Sequence, residues 1–170
     1  MRKLFFAAVV GGSLLVALAK NDKGGKARAT LSGYEETPSV STVAKGKFRA
    51  EIDGDSIVYR LTYTGIEGGT TLAAHIHFGQ RHTAGGVSAF LCGGGDKPAC
   101  PTPGGTVEGT IDAADVVGPA GQGILAGQLN ELVRAIRAGA TYVNVHSTTF
   151  PAGEIRGQVK SDRRKGRDDD

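Results

Sequence analysis

Short stretches in which apolar and polar residues alternate recur along most of this chain. In KGKFRAEID (45–53) apolar side chains alternate with charged ones, and IVYRLTYTG (57–65) alternates in the same way. A period of two is typical of a strand with one buried face, because successive side chains point to opposite sides of a sheet. The sequence DGD (53–55) between the two stretches is a turn signal, so they are predicted to form a hairpin.

Eight stretches carry a strand signal, and turn residues separate them; glycine alone accounts for 27 positions. Many short strands joined by tight turns predict an all-β fold, an antiparallel, Greek-key-like β-sandwich or barrel. The predicted strands are 27–32, 46–52, 57–64, 71–78, 87–91, 106–111, 141–146 and 154–160.

One stretch, GQLNELVRAIRAG, has a helical period instead. From Leu129 to Ile136 the apolar residues fall at i, i+3, i+4 and i+7, which places them on one face of a helix. Gly139 stands where a left-handed residue commonly ends a helix. The pattern predicts one short α-helix that lies across one opening or edge of the sheet.

The two ends of the chain differ from the middle. Residues 1–19 begin with two basic residues, continue as an apolar run and end in ALA, which is the layout of a cleavable signal peptide. Left uncleaved, the same run would be an N-terminal anchor. We interpret 20–28 as a linker, 29–160 as one domain and 161–170 as a disordered charged tail. This predicts a secreted, periplasmic or cell-envelope protein that has no membrane span after cleavage.

The formal net charge is +3 and the basic residues are scattered, so no nucleic-acid partner is expected. Cys92 and Cys100 are the only cysteines. In an oxidising compartment an even count favours a disulfide. The alternative is a pair of thiolate metal ligands, although C-x7-C is not a common zinc spacing.

The usual catalytic motifs are missing from the sequence. GVSAF (86–90) lacks the second glycine of a nucleophile elbow, and no glycine-rich stretch continues into the Lys-Ser/Thr of a phosphate loop. The acidic pair in EETP (35–38) is interpreted as a turn with solvated carboxylates. Whether the protein is an enzyme stays open at this point.

Two of the four histidines stand one residue apart in AAHIHFG (73–79). His75 and His77 therefore share one face of a predicted strand. The other face is apolar and is expected to pack on the core; its members are Leu72, Ala74, Ile76 and Phe78.

The strands near the end of the domain repeat this division. In TYVNVHS, Val143 and Val145 form a core face, and His146 lies on the opposite face with Tyr142 and Asn144. In EIRGQV the polar side chains again share one face, and a hairpin with the preceding strand is expected. Those polar residues are Glu154, Arg156 and Gln158.

If these strands are neighbours, His75, His77 and His146 converge on one spot. Imidazole nitrogen is a good ligand for copper or zinc, so the three residues are a candidate metal site. Glu154 and His82 are candidates for a further ligand or an acceptor of an imidazole N–H. In the alternative without a metal, the histidines only hydrogen-bond to backbone carbonyls.

The motifs LSGYEETPSVSTVAKG, AAHIHFG and YVNVHSTTFPAGEIRGQ resemble the CHRD family, named from chordin and common in secreted bacterial proteins. The resemblance runs from Ala29 to Val159. Ser39 and Ser147 stand where relatives often carry proline and threonine. The resemblance implies an all-β, exported domain but assigns no activity.

Three functions are compatible with these observations. The first is a secreted module that binds an unidentified protein or surface partner and carries a copper or zinc ion. The second is a mononuclear copper oxidoreductase similar to copper–zinc superoxide dismutase, with Arg156 steering an anion; four histidines are too few for a bridged metal pair. The third is a structural or adhesion domain without metal.

Overall fold

In this computed structural model, which describes residues 24–162, nine strands form one antiparallel sheet that curls into a nearly closed barrel. The all-β prediction is thereby confirmed. The predicted signal peptide (1–19) and residues 163–170 of the predicted tail lie outside the described residues. The strands are β1 (Gly25–Ser32), β2 (Lys45–Asp53), β3 (Ser56–Thr64), β4 (Thr71–Phe78), β5 (Gly86–Cys92), β6 (Gly105–Ile111), β7 (Thr141–Ser147), β8 (Ile155–Gln158) and β9 (Lys160–Ser161).

Neighbouring strands follow the order β5-β4-β7-β8-β1-β2-β3-β6, and β9 pairs with β1 beside β8. The two predicted hairpins, β2–β3 and β7–β8, are present as antiparallel pairs. The strand predicted over 154–160 is divided between two partners: β8 pairs with β7, whereas β9 pairs with β1. β1 begins at Gly25, inside the stretch predicted as linker.

The barrel closes where β5 and β6, the two ends of the strand order, approach each other. Cys92 at the end of β5 forms the predicted disulfide with Cys100, which precedes β6, with 5.1 Å between their Cα atoms. The thiolate-ligand alternative is therefore excluded. The Tyr59 hydroxyl of β3 also reaches across and donates to Leu91 O of β5 at 2.7 Å.

The core lies inside the barrel, and β2 and β3 show its pattern most clearly. Burial alternates strictly along both strands, so that every second residue of β2 is exposed. On β4, Ala74 and Ile76 face the core as predicted, but Leu72 is 46% exposed. The pairing of β4 with β7 shifts register between Thr71 and Ala73, and this bulge turns Leu72 outward.

The predicted helix is α1 (Leu129–Arg137), and its apolar side chains join the core. Gly139 follows with a φ of 70°, the left-handed conformation expected after a helix. Among residues 24–162 no helix combines the length and the apolar character needed to span a bilayer.

Candidate metal centre

The three histidines named from the sequence lie together because β4 and β7 are neighbours. Along this pair, His75 lies opposite Asn144 and Ala73 opposite His146. The ring of His146 lies with its centroid 4.7 Å from that of His75 and 5.7 Å from that of His77. One ligand atom from each of the three histidines lies within 4.8 Å of the others.

The cluster is buried, whereas the sequence predicted a sheet face pointing outward. The exposed fractions are 9% for His75, 7% for His77 and 8% for His146. Two loops cover the rings: Gly85 from the β4–β5 loop and Pro151 from the β7–β8 loop both approach them with a backbone carbonyl. The outer face of the sheet is therefore buried at this position, as the core face is.

Bulges in the neighbouring strand flank both histidines of β4. Partners on β5 skip a residue between Ala74 and His75 and again between Ile76 and His77. A bulge places an extra residue in one strand and re-aims nearby side chains, and bulges are frequent next to functional sites. The ring of Phe90 on β5 consequently meets His75 edge-on, with 4.5 Å between centroids.

Backbone carbonyls fix the protonation pattern of two of the rings. Nδ1 of His77 lies 2.9 Å from Gly85 O, and Nδ1 of His146 lies 3.0 Å from Pro151 O. Because a carbonyl oxygen only accepts, each Nδ1 carries the proton, and each Nε2 keeps a lone pair. Metal-bound histidines typically donate their second ring N–H in this way, which holds the tautomer and the ring orientation.

The third ring, that of His75, is hydrogen-bonded to another histidine of the cluster and not to a backbone carbonyl. Nδ1 of His75 lies 3.0 Å from Nε2 of His146 and donates to its lone pair. Nε2 of His75 is then also an acceptor, and neither it nor Nε2 of His77 has a hydrogen-bond partner among residues 24–162 although both are buried. A buried polar atom without a partner costs free energy, and these two lone pairs are unused ligand atoms.

Burial keeps all three imidazoles neutral. It lowers the pKa of His75 to about 3, and His146 and His77 act in the same direction. Burial lowers the pKa of His77 to about 4 although the hydrogen bond to Gly85 opposes the change. Burial also lowers the pKa of His146. At neutral pH the cluster is therefore in the unprotonated form that binds metal ions.

The spacing of these atoms suits a single ion after a small rearrangement. Nitrogen ligands of a tetrahedral zinc ion lie about 3.4 Å apart, given metal–nitrogen distances near 2.0–2.1 Å. The contact of 3.0 Å between His75 and His146 is close to that value, and the limit of 4.8 Å for the whole group requires a ring to turn inward. An ion bound by Nδ1 of His75 and Nε2 of His146 would take the place of the proton between them, and His75 would then carry its proton on Nε2.

Two aromatic and cationic side chains adjoin the cluster. Tyr142 stacks on His77 with 4.7 Å between ring centroids, and the Arg156 guanidinium lies 3.4 Å from the centre of the Tyr142 ring. Arg156 also donates to Gln80 O at 2.9 Å. The guanidinium considered above for anion steering is thus held by a ring and a carbonyl.

A buried acid beside the cluster was missed by the sequence reasoning. Glu36, interpreted above as part of a solvated turn, is only 6% exposed, and Asn144 Nδ2 donates to its Oε2 at 3.4 Å. Burial raises the pKa of Glu36 to about 7, with Arg156 opposing. Neither Glu36 Oε1 nor Asn144 Oδ1 has a hydrogen-bond partner in the described part of the chain.

The two further candidates for the site lie apart from the three rings. The Glu154 carboxylate is fully buried but accepts from Thr42 Oγ1 and from the N–H groups of Glu67 and Gly68, at 2.8–3.0 Å. His82 is exposed in the β4–β5 loop with a φ of 62°. Neither residue belongs to the group of ligand atoms that the described residues bring together.

Fold and site together define a small disulfide-linked β-barrel with a buried three-histidine cluster on the outer side of its sheet. The sequence model of the CHRD domain matches residues 27–159. The chain therefore belongs to the CHRD domain family, and the match includes both cysteines and the three clustered histidines. Searches of curated proteins and of solved structures returned no match.

Proposed function

We propose that this protein is an exported metal-binding domain in which His75, His77 and His146 hold one copper or zinc ion. The observation that carries the proposal is the pair of rings whose Nδ1–H groups are held by Gly85 O and Pro151 O. A metal ligand needs an unprotonated Nε2 and a donor N–H on the opposite side of the ring, and both rings have them. Nε2 of His77 has no partner among residues 24–162, and Nε2 of His146 accepts only from His75, whose proton an ion would displace.

The donor set favours copper over zinc in affinity. Three imidazoles with no thiolate suit either ion, and the usual affinity order for divalent metals places Cu²⁺ above Zn²⁺. Three protein ligands leave one position of a tetrahedral ion for water or for a group of a binding partner. The ion could therefore link the domain to a partner as well as stabilise it.

Export is supported by two independent features. Residues 1–19 have the layout of a signal peptide, and the Cys92–Cys100 disulfide is stable in an oxidising compartment. In such a compartment the cluster would load from metal ions outside the cytoplasm.

We do not propose the superoxide-dismutase-like activity. A redox centre for a small anion needs a charge that guides the anion to the open position of the metal. Arg156 lies over Tyr142 and donates to Gln80 O, so its guanidinium is already held by other groups.

The test is metal stoichiometry of the purified protein, stripped with a chelator and titrated calorimetrically with Cu²⁺ and with Zn²⁺. We expect one ion per chain, with Cu²⁺ the tighter. His75→Ala and His146→Ala should each lower the affinity at least a hundredfold. His82→Asn is the matched control, since asparagine tolerates the left-handed conformation at this position, and it should bind as the wild type does.

A folding control accompanies the variants, because each removes a buried ring. Far-UV circular dichroism of the apo-proteins reports whether the barrel forms, and metal should raise the melting temperature of the wild type and of His82→Asn only. A wild-type protein that takes up no stoichiometric copper or zinc contradicts the proposal. Equal loss of affinity in His82→Asn would contradict it as well.

A further inference from the structure

A second feature lies on the outer face of β1, β2 and β3, away from the histidines. Arg28 lies directly opposite Arg49, and Arg49 lies directly opposite Arg60. We call these three residues the arginine row. Their strands are adjacent, so the row crosses the sheet with a spacing of about 4.8 Å between neighbouring strands.

The row is incompletely neutralised. Arg28 pairs with Asp162 at 2.7 Å, and Arg60 pairs with Glu108. Arg49, between them, has no ion-pair or hydrogen-bond partner among residues 24–162. Like charges placed directly opposite each other destabilise a sheet, so the central arginine weakens the fold unless an anion joins it.

The row lines a groove of about 850 Å³. On β2 the next outward residue, Lys47, lies opposite Thr30 on one side and Thr62 on the other. The Thr62 and Thr106 hydroxyls are 2.8 Å apart and exposed. Lys47 and these threonines adjoin the groove on the same face. The charged residues that line the groove are four cations and three acids, and each acid pairs with a cation other than Arg49; they are Lys26, Arg28, Arg49, Arg60, Glu51, Glu108 and Asp162.

We propose that this groove binds an acidic polysaccharide, with a carboxylate or sulfate group of the sugar chain paired to Arg49. Guanidinium recognises such groups with two parallel hydrogen bonds, and threonine hydroxyls suit the hydroxyl groups of sugars. The site is independent of the metal centre, since it shares no residue with it.

The composition of the face argues against other polyanions. A protein partner is typically anchored by aromatic or large apolar side chains, and a single-stranded nucleic acid by stacking on aromatic rings. The aromatic residues of β2 and β3, namely Phe48, Tyr59 and Tyr63, are all buried in the core, and Val58, 52% exposed, is the one large apolar side chain that the described residues expose in the groove. The groove therefore offers one unpaired guanidinium to an anionic group, and no exposed ring to a peptide or a base.

The test uses fluorescently labelled tetrasaccharides, one of uronic acids and one sulfated, with polyglutamate and a neutral glucan as comparison ligands. Anisotropy titrations of the full-length protein are run at about 50 mM and about 200 mM salt. We expect binding of at least one acidic saccharide, weakened by salt, and the preferred one identifies the anionic group. Arg49→Gln should weaken it roughly tenfold to a hundredfold, as the loss of a charge-assisted bond predicts.

Arg134→Gln, an exposed arginine on α1, is the matched control and should bind as the wild type does. Arg49→Gln should keep or slightly raise the melting temperature, because it relieves repulsion within the row. The proposal is overturned if neither acidic saccharide binds. It is equally overturned if polyglutamate binds as tightly, or if both variants lose the same affinity.

Discussion

The outer face of β2 and β3 and the outer face of β4 and β7 belong to one sheet but have different surroundings. Along β2 every second residue is exposed, whereas all seven residues of β7 are buried on both faces. Water solvates the charges of β2. The polar groups of β7 are covered by loops and must find partners within the protein.

The consequence is visible in the polar atoms that lack a partner. Within the described part of the chain, every buried side-chain nitrogen or oxygen without a hydrogen bond belongs to Glu36 or to the half of the barrel formed by β4, β5, β7 and β8. None belongs to β1, β2, β3 or β6. Where loops cover a polar face, some nitrogen and oxygen atoms are left without a hydrogen-bond partner. The imidazole nitrogens among them are available as metal ligands.

The largest expected contrast between the two regions concerns two glutamates. Glu154→Ala removes the acceptor of two backbone N–H groups and of Thr42, and should lower the free energy of unfolding by about 3–5 kcal/mol. Glu51→Ala removes an exposed ion pair with Lys26 and should change it by less than about 0.5 kcal/mol. Urea denaturation measures the change in unfolding free energy for both variants. Similar changes would contradict the predicted difference between the two regions.

The second prediction is a loss of stability of the apo-protein in mild acid. His75 and His77 have pKa values of about 3 and about 4 when folded, below the unfolded value of 6.5, so the unfolded chain binds more protons between these limits. Their contribution is complete above pH 6.5 and is lost as the pH falls. Glu36, raised from 4.5 to about 7, acts in the opposite sense.

Near pH 5, His75 and His77 together give the unfolded chain about two more protons than the folded one, and Glu36 offsets nearly one of them, so the net difference is about one proton, or about 1.4 kcal/mol per pH unit. The lowered pKa of His146 acts in the same direction as those of His75 and His77. Urea denaturation between pH 7 and pH 5, with chelator present, measures this slope. Glu36→Gln removes the opposing group and should steepen it by about 1 kcal/mol per pH unit. A stability independent of pH across this range would show that the rings are not buried neutral.

The smallest expected effect compares two glycines with positive φ. A Cβ at Gly153 would lie 2.3 Å from Asn144 Oδ1 and 2.6 Å from Glu36 Oε1, whereas one at Gly54 in the β2–β3 turn would meet nothing within 4 Å. Gly153→Ala should lower stability by about 2–3 kcal/mol and Gly54→Ala by about 1 kcal/mol, the cost of the backbone conformation alone. Thermal melting of both variants measures the two losses of stability. Equal losses would contradict the predicted steric clash at Gly153.

The sequence predicted the open half of the barrel better than the covered half. Alternation alone placed β2 and β3, because one face meets the core and the other meets water. It also grouped His75, His77 and His146 on one side of their strands. It did not predict their burial, since that depends on loops whose path leaves no periodic signal.

The same limit explains the errors at individual residues. Leu72 was placed on the core face, and a bulge, which the pattern of residues does not announce, turned it outward. Glu36 was interpreted as solvated because it stands beside a proline in a turn. Its burial follows from Asn144, a partner distant in sequence, and only a polar residue on the covered strand could have pointed to it.

The central claim is that the rings of His77 and His146 are locked with Nδ1–H donated to a backbone carbonyl, which leaves Nε2 unprotonated and able to bind a metal ion. Long-range proton–nitrogen NMR of the histidine side chains tests it most directly, before and after one equivalent of Zn²⁺ or Cu⁺. We predict protonated Nδ1 and unprotonated Nε2 for both residues, and metal-induced shifts at the Nε2 atoms of both while His82 stays unchanged. Protonated Nε2 atoms, or shifts confined to His82, would contradict the account.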